Sequence, residues 1–233
     1  MKNILLMLCI AALMVGCEYK SGSGKLVTQT RDVAAFKSVK VSGDFEVEIK
    51  NGSTAKLVIE ADDNLIDDVE VTVDNGQLKI SMQDGFSLSD AHIKVFITSN
   101  EISGISSSAS ARVVALDALE SEENIILKAS SGSSIKATLN APAVEADASS
   151  GAEILVQGRT KSFDAASSSG ATVKGIDLLS ENTVAKASSG ATTSVHASVQ
   201  LNASASSGGN VTYRGEATAV KKESSGGSIA KTD

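Results

Sequence analysis

One three-residue phrase, Ser-Ser-Gly, returns at nearly constant spacing and limits what this chain can fold into. It stands at Ser130-Ser131-Gly132, Ser149-Ser150-Gly151, Ser168-Ser169-Gly170, Ser188-Ser189-Gly190, Ser206-Ser207-Gly208 and Ser224-Ser225-Gly226. A degenerate copy, Ser107-Ser108-Ala109, precedes them. Successive glycines lie 19, 19, 20, 18 and 18 residues apart. A short fixed period marks a repeat architecture, in which each unit buries itself against its neighbours.

Aligning the repeats on their glycines gives columns. Three positions before each glycine stand Ala129, Ala148, Ser167, Ala187 and Ala205. Five before stand Leu127, Ala146, Ala165, Ala185 and Ala203, and seven before stand Ile125, Val144, Phe163, Thr183 and Leu201. Charged residues such as Lys128, Glu145, Asp147, Asp164 and Lys186 fall between them. Downstream, Ile135, Ile154, Val173, Thr193, Val211 and Ile229 recur three positions after the glycine. Period-two alternation of small or apolar residues with polar ones is a strand with an inside and an outside. Each repeat therefore carries one strand before the phrase and one after it, and Gly158, Gly175 and Gly215 mark a second bend.

A rung of about 19 residues whose like positions stack about 4.8 Å apart is a β-solenoid coil. The expected fold is all-β: a right-handed parallel β-solenoid, with handedness inferred by analogy with crossover connections. Glycine at the corner permits φ > 0, and its missing Cβ is expected to let the next rung approach. The turn glycines Gly132, Gly151, Gly170, Gly190, Gly208 and Gly226 are thus structural. The corner serines are expected to satisfy corner backbone groups and one another rather than hold a ligand. In the last repeat Lys221 and Glu223 replace the inward alanines, which suggests a closing rung.

Residues 33–100 differ in texture and read as a strand-rich head that caps the solenoid of residues 101–233. Phe45-Glu46-Val47-Glu48-Ile49 alternates and ends at Asn51-Gly52, while Val69-Glu70-Val71-Thr72-Val73 leads through Asp74-Asn75-Gly76 into Gln77-Leu78-Lys79-Ile80. Such segments read as strands and hairpins. The acidic run from Asp62 to Asp68 breaks the alternating ligand pattern of a calcium loop, with Ile66 at a ligand position and Asp67 where glycine is required. It reads as a solvated turn with capping carboxylates.

The first residues are a targeting signal. Met1-Lys2-Asn3 is a short positive start, and Ile4 to Gly16 is apolar or small throughout, too short to span a membrane. Leu13-Met14-Val15-Gly16-Cys17 resembles a bacterial lipobox, which implies a signal peptide over 1–16 and lipid attached to Cys17. Cys9 lies in the discarded segment, so no intramolecular disulfide can form in the mature chain. Residues 17–32 read as a polar tether.

Chemistry-bearing motifs are sparse. The chain has 28 Asp plus Glu against 21 Lys plus Arg, with no basic run, which disfavours nucleic acid as a partner. Five Phe, two Tyr and no Trp leave little for a stacking groove. Ser133-Ser134-Ile135-Lys136 fits Ser-x-x-Lys but lacks its partner motifs. His92 and His196 lack metal-ligand spacing and read as surface residues. Glu145, Asp147 and Asp164 could approach one another on neighbouring rungs, yet Lys128 and Lys186 share that face, as in cross-rung salt pairs. No cofactor, metal or catalytic residue is assigned.

Phe36-Lys37-Ser38-Val39-Lys40-Val41-Ser42-Gly43-Asp44-Phe45-Glu46-Val47-Glu48-Ile49, then Glu60-Ala61-Asp62-Asp63-Asn64-Leu65 and Leu78-Lys79-Ile80, resemble the head GIN domain, also called the putative auto-transporter adhesin family. The Ser-Ser-Gly ladder is similar to that family's C-terminal half, so the resemblance covers about residues 33–229. It implies a predominantly β, solenoid-like secreted or surface lipoprotein of Bacteroidetes-type bacteria, with no catalytic motif to carry over. The expected function is a non-enzymatic, lipid-anchored cell-envelope protein, an adhesin or interaction scaffold. It would be held to a membrane, the outer one, on its periplasmic or surface side, with an unknown surface glycan or protein as ligand. The alternative is a carbohydrate-binding or polysaccharide-degrading β-helix protein.

Overall fold

A computed structural model describes residues 18–83 and 86–232. The expected signal segment and Cys17 lie outside the described residues. The first nine strands are β1 (Glu18–Ser21), β2 (Leu26–Arg31), β3 (Ser38–Ser42), β4 (Glu46–Asn51), β5 (Lys56–Asp62), β6 (Val69–Asp74), β7 (Gln77–Met82), β8 (Phe86–Ser89) and β9 (Ile93–Ser99). A 3-10 turn, Ile66–Asp68, separates β5 from β6. The coils follow as β10 (Gly104–Ser108), β11 (Arg112–Ala115), β12 (Leu119–Glu120), β13 (Ile125–Ala129), β14 (Ser134–Ala148), β15 (Glu153–Ser167) and β16 (Thr172–Ala187). They continue as β17 (Thr192–His196), β18 (Gln200–Ala205), β19 (Asn210–Arg214), β20 (Thr218–Glu223) and β21 (Ser228–Lys231).

These strands wind into a parallel β-solenoid of about six turns. One side stacks β3, β10, β13, the C-terminal halves of β14, β15 and β16, then β18 and β20, all parallel and in register. The other side stacks β4, β11, the N-terminal halves of β14, β15 and β16, then β17, β19 and β21. The columns of alanine, isoleucine and valine on both sides of each Ser-Ser-Gly are buried. The 20-residue step is absorbed as a bulge, because register shifts between Leu155 and Gln157 where β15 meets β16.

The corner is a tight turn built from two residues, not one. The second serine takes φ between 48° and 53° and the glycine φ between 71° and 75° in all six copies. The residue after the glycine donates back to the first serine, as Ser133 N does to Ser130 O at 3.2 Å. Two positive φ angles closed by that bond make a type I′ turn. The expected reason for glycine needs correcting. A Cβ on any of these six glycines meets nothing within 4 Å, so their role is conformational and not close approach. Close approach occurs elsewhere: a Cβ on Gly158 would lie 2.1 Å from Leu139 O, and one on Gly209 2.4 Å from Ala187 O. Gly175 is not a bend residue either. It lies in an inward column, and a Cβ there would strike the buried Phe163 ring at 2.5 Å.

The serine hydroxyls also differ from expectation. Corner N–H and C=O groups bond to the next coil's backbone, as Gly132 N does to Ser150 O at 3.0 Å and Ser149 N to Ala129 O at 3.0 Å. The corner serine hydroxyls make no hydrogen bond within the described residues. The degenerate copy is displaced by one residue: its turn is Ser108-Ala109-Ser110-Ala111, with φ 53° at Ala109 and 72° at Ser110.

At the N-terminal end the sheets reverse. β7 stacks parallel on β3 and pairs antiparallel with β6; β9 stacks parallel on β4 and pairs antiparallel with β5, which pairs antiparallel with β2. Asp74-Asn75-Gly76 closes the hairpin β6–β7 with φ 49° and 72° at Asn75 and Gly76. Asn51-Gly52 closes none, because β9 lies between β4 and β5. At the opposite end Lys221 and Glu223 are exposed on β20, and the Lys221 ammonium sits 4.8 Å above the Tyr213 ring.

The expected tether is a folded part of this cap. β1 pairs parallel with β8, and the residues between β1 and β2 are bound by the acidic run. Asn64 Nδ2 donates to Ser21 O at 2.9 Å, and Asn64 Oδ1 accepts from Ser23 N at 3.0 Å. Asp62 is 1% exposed, so it is no solvated turn residue. Its two oxygens accept from Gly24 N at 2.7 Å and His92 N at 2.8 Å. The Ser23 hydroxyl, 2.7 Å away, and Lys25 beside it hold the Asp63 carboxyl below the usual carboxylate range. Lys20 pairs with Asp68.

Three substitutions separate conformational from steric glycine roles. Ser110→Gly is expected to stabilise the protein by about 1 kcal/mol, by relieving a left-handed serine. Gly158→Ala is expected to cost clearly more than Gly132→Ala, whose penalty is about 1–2 kcal/mol from φ alone. Urea unfolding of each variant checks both.

Candidate functional site

The third side of the coil, where the long strands bend, holds an open groove of about 720 Å³. Five successive coils contribute to it, through Glu120–Glu122, Asn140–Pro142, Arg159–Lys161, Leu179–Glu181 and His196 with Ser198. Four steps of about 4.8 Å make it roughly 19 Å long, parallel to the solenoid axis. Glu120, Asn140, Arg159 and Leu179 form one continuous column, paired in register from coil to coil. All four side chains are exposed, Leu179 by 43%.

Charges of both signs face this groove. Glu120, Glu122, Arg159, Lys161 and Glu181 make no side-chain hydrogen bond or ion pair within the described residues. Some acids and bases elsewhere are paired across rungs, as in Lys94 with Glu48 at 2.7 Å, an ion pair that holds Lys94 above its ordinary value. The groove charges are therefore open to an outside partner. Unpaired groups on a wet surface carry little desolvation cost and exchange readily between water and a ligand.

The groove floor is a hydroxyl network. Thr160, Ser180 and Thr183 are buried. Thr183 Oγ1 donates to His196 O at 2.7 Å and lies 2.7 Å from Ser180 Oγ, which also donates to His196 O. The His196 ring turns Nδ1 toward the Ser180 peptide, 3.2 Å from its oxygen. It is half-buried rather than a plain surface histidine. His92 fits the surface reading, exposed and 3.3 Å from Glu60.

The other sequence candidates do not converge here. Glu145 and Asp164 stack directly in register, Asp147 pairs with Ala166 and so lies diagonal to Asp164, and Lys186 sits 3.9 Å from Asp164. They lie on the strand side, away from the groove lining. Ser133 is buried and donates to Ser107 O at 2.8 Å, which gives it a structural task. Among the described residues no group of three or more His, Cys, Asp or Glu could hold a metal ion. No helix among them is long and apolar enough to cross a membrane.

The groove was not anticipated from the residues. Its signal was present, because Glu120, Asn140, Arg159 and Leu179 recur 20, 19 and 20 residues apart. The column lies beyond the second bend, where no glycine phrase sets the register.

The family model described as "Putative auto-transporter adhesin, head GIN domain" matches residues 35–217. The chain belongs to this family. A crystal structure of a putative adhesin from Bacteroides fragilis shares the fold, with a TM-score of 0.83 at 17% identity over 91% of this chain and 100% of that one. A putative adhesin from Parabacteroides merdae gives 0.76 at 16% identity over 93% and 100%. A protein described as a putative lipid binding protein from Parabacteroides distasonis gives 0.69 at 18% identity over 93% and 100%. No curated protein matches the sequence. The head GIN match ends before β20, so the groove lies wholly inside it.

In this head GIN domain the groove charges are expected to be dispensable for folding and the floor network is not. Arg159→Ala and Lys161→Ala should each change stability by less than about 0.5 kcal/mol. Ser180→Ala should cost about 1 kcal/mol. Denaturant midpoints of the three variants provide the check.

Proposed function

We propose that the protein is a non-enzymatic adhesion scaffold of the cell envelope, anchored by lipid on Cys17, whose contact site is the axial groove. The observation that carries the reading is the groove's form. It is open, and its charged groups are spaced by the coil repeat. Such a channel receives an extended chain lying along the axis. Membership of an adhesin family supports the same reading, as does the signal-and-lipobox pattern before Glu18. The absence of a long apolar helix among the described residues is compatible with attachment through lipid. The outer membrane, on either its periplasmic or its surface side, is the location we assign.

A second, narrower reading makes the ligand a surface glycan. Leu179 and Pro142 offer small apolar patches beside Asn140 and Arg159, a mixture suited to the apolar faces and hydroxyls of a sugar chain. The groove length of roughly 19 Å accommodates several linked sugars.

Screening the purified mature chain on glycans tests both readings. The expected result is binding without release of reducing or unsaturated ends, weakened about tenfold, or about 1.4 kcal/mol, by Arg159→Ala. Turnover of any bound glycan contradicts the non-enzymatic reading. For the anchor, Cys17→Ala is expected to move the protein from the membrane to the soluble fraction.

A further inference from the structure

We propose that the solenoid stands end-on to the bilayer, with the cap end against the lipid headgroups and the last coil directed away. This inference rests on the lipid anchor at Cys17. It adds a defined interaction surface, whose partner is the headgroup region of a membrane.

The argument starts from slack. A tether of a dozen flexible residues would let the body wander by roughly 20 Å in any orientation. No such slack follows Cys17. The next residue, Glu18, already begins β1, which is paired with β8 along its whole length. A single residue reaches at most about 3.6 Å. Residues 20 to 25 are then tied to the Asp62–Asp68 turn by the bonds from Asn64, Asp63, Asp62 and Asp68. The buried Asp62 carboxylate is central to that clamp, since it accepts from both Gly24 and His92.

The clamp lies in the terminal layer of the fold. The acidic turn joins β5 to β6. Among the described residues β6 pairs only with β7, and β2 pairs only with β5. The surface beside the anchor carries exposed apolar groups. Tyr19 is 75% exposed on β1, and Leu26 is 49% exposed where β2 pairs with Asp62. A tyrosine next to an acyl anchor suits the membrane interface, where its ring meets apolar matter and its hydroxyl meets water.

The sheet supplies its own ruler. Thr72 on β6 begins an outward column that passes through Lys79, Lys40, Ser106, Lys128, Asp147, Ala166, Lys186 and Ser204 to Lys222 on β20. Nine steps of about 4.8 Å place its two ends about 43 Å apart along the axis. In the end-on arrangement only the first end meets the headgroups, and the groove is held clear of them.

The test uses the full chain, lipidated in a bacterial host and reconstituted into phosphatidylcholine vesicles that carry nitroxide-headgroup lipid. Thr72→Cys or Lys222→Cys supplies one free thiol for a fluorophore, and both positions are exposed. The expected result is strong quenching at Thr72 and its loss at Lys222. A ten-residue Gly-Ser insertion between Cys17 and Glu18 should abolish the difference. Equal quenching at both positions in an anchored protein, or indifference to the insertion, overturns the end-on arrangement while leaving the anchor intact. Cys17→Ala protein that stays on the vesicles overturns the anchor, and the arrangement with it.

Discussion

Each coil presents its backbone N–H and C=O groups along the axis, and a neighbouring coil in register is what satisfies them. That ladder is continuous through the strands and the corners. Ser149 N reaches Ala129 O, Gly151 N reaches Ser169 O, and Glu153 N reaches Ser133 O, all between 2.9 and 3.1 Å. Register then fixes everything else. Inward columns meet inward columns, so alanine can pack on alanine with no gap, and outward charges fall beside one another. The second serine of each corner sits in a left-handed conformation that costs it about 1 kcal/mol. The corner persists because the ladder on both sides holds the turn in place.

The same constraint explains the ends. A coil with nothing beyond it exposes an unpaired edge, which invites other chains. At the N-terminal end the chain departs from the winding and lays β5, β2 and β6 antiparallel on the outside. Larger side chains, among them Leu57, Ile59 and Ile97, fill the space beneath. At the C-terminal end Lys221 and Glu223 take the places that alanine holds in the coil before. These charges make the final face poor material for another strand. The groove follows from the bend on the third side, where adjacent coils bring unpaired charges of both signs to one open surface.

Much of this was legible in the residues because it is periodic. The inward columns were readable from Ile135 to Ile229 because a strand alternates every second residue and the coil repeats near every nineteenth. What escaped was set by distant partners. Residues 18–25 have the composition of a linker, but their bonds run to Asp62, Asp63, Asn64 and Asp68. Asn51-Gly52 has a hairpin's sequence, yet β9, far along the chain, inserts beside β4. The tight approach of Gly158 to Leu139 depends on which coil lies next door. The left-handed serine and the free corner hydroxyls could not be read because the phrase is equally consistent with hydroxyls bonded to the backbone.

The central claim is that like positions of successive coils lie one step apart in an unbroken parallel ladder. Paired cysteines measure this directly. Lys128 and Asp147 face outward as register partners, so their separation is one step of about 4.8 Å, within reach of a disulfide. Lys128 and Ala166 are two steps apart, about 9.6 Å, beyond that reach. Mild oxidation of the purified protein should cross-link Lys128→Cys with Asp147→Cys and leave Lys128→Cys with Ala166→Cys free. Efficient cross-linking of the second pair, or none of the first, would contradict the stacked-coil account.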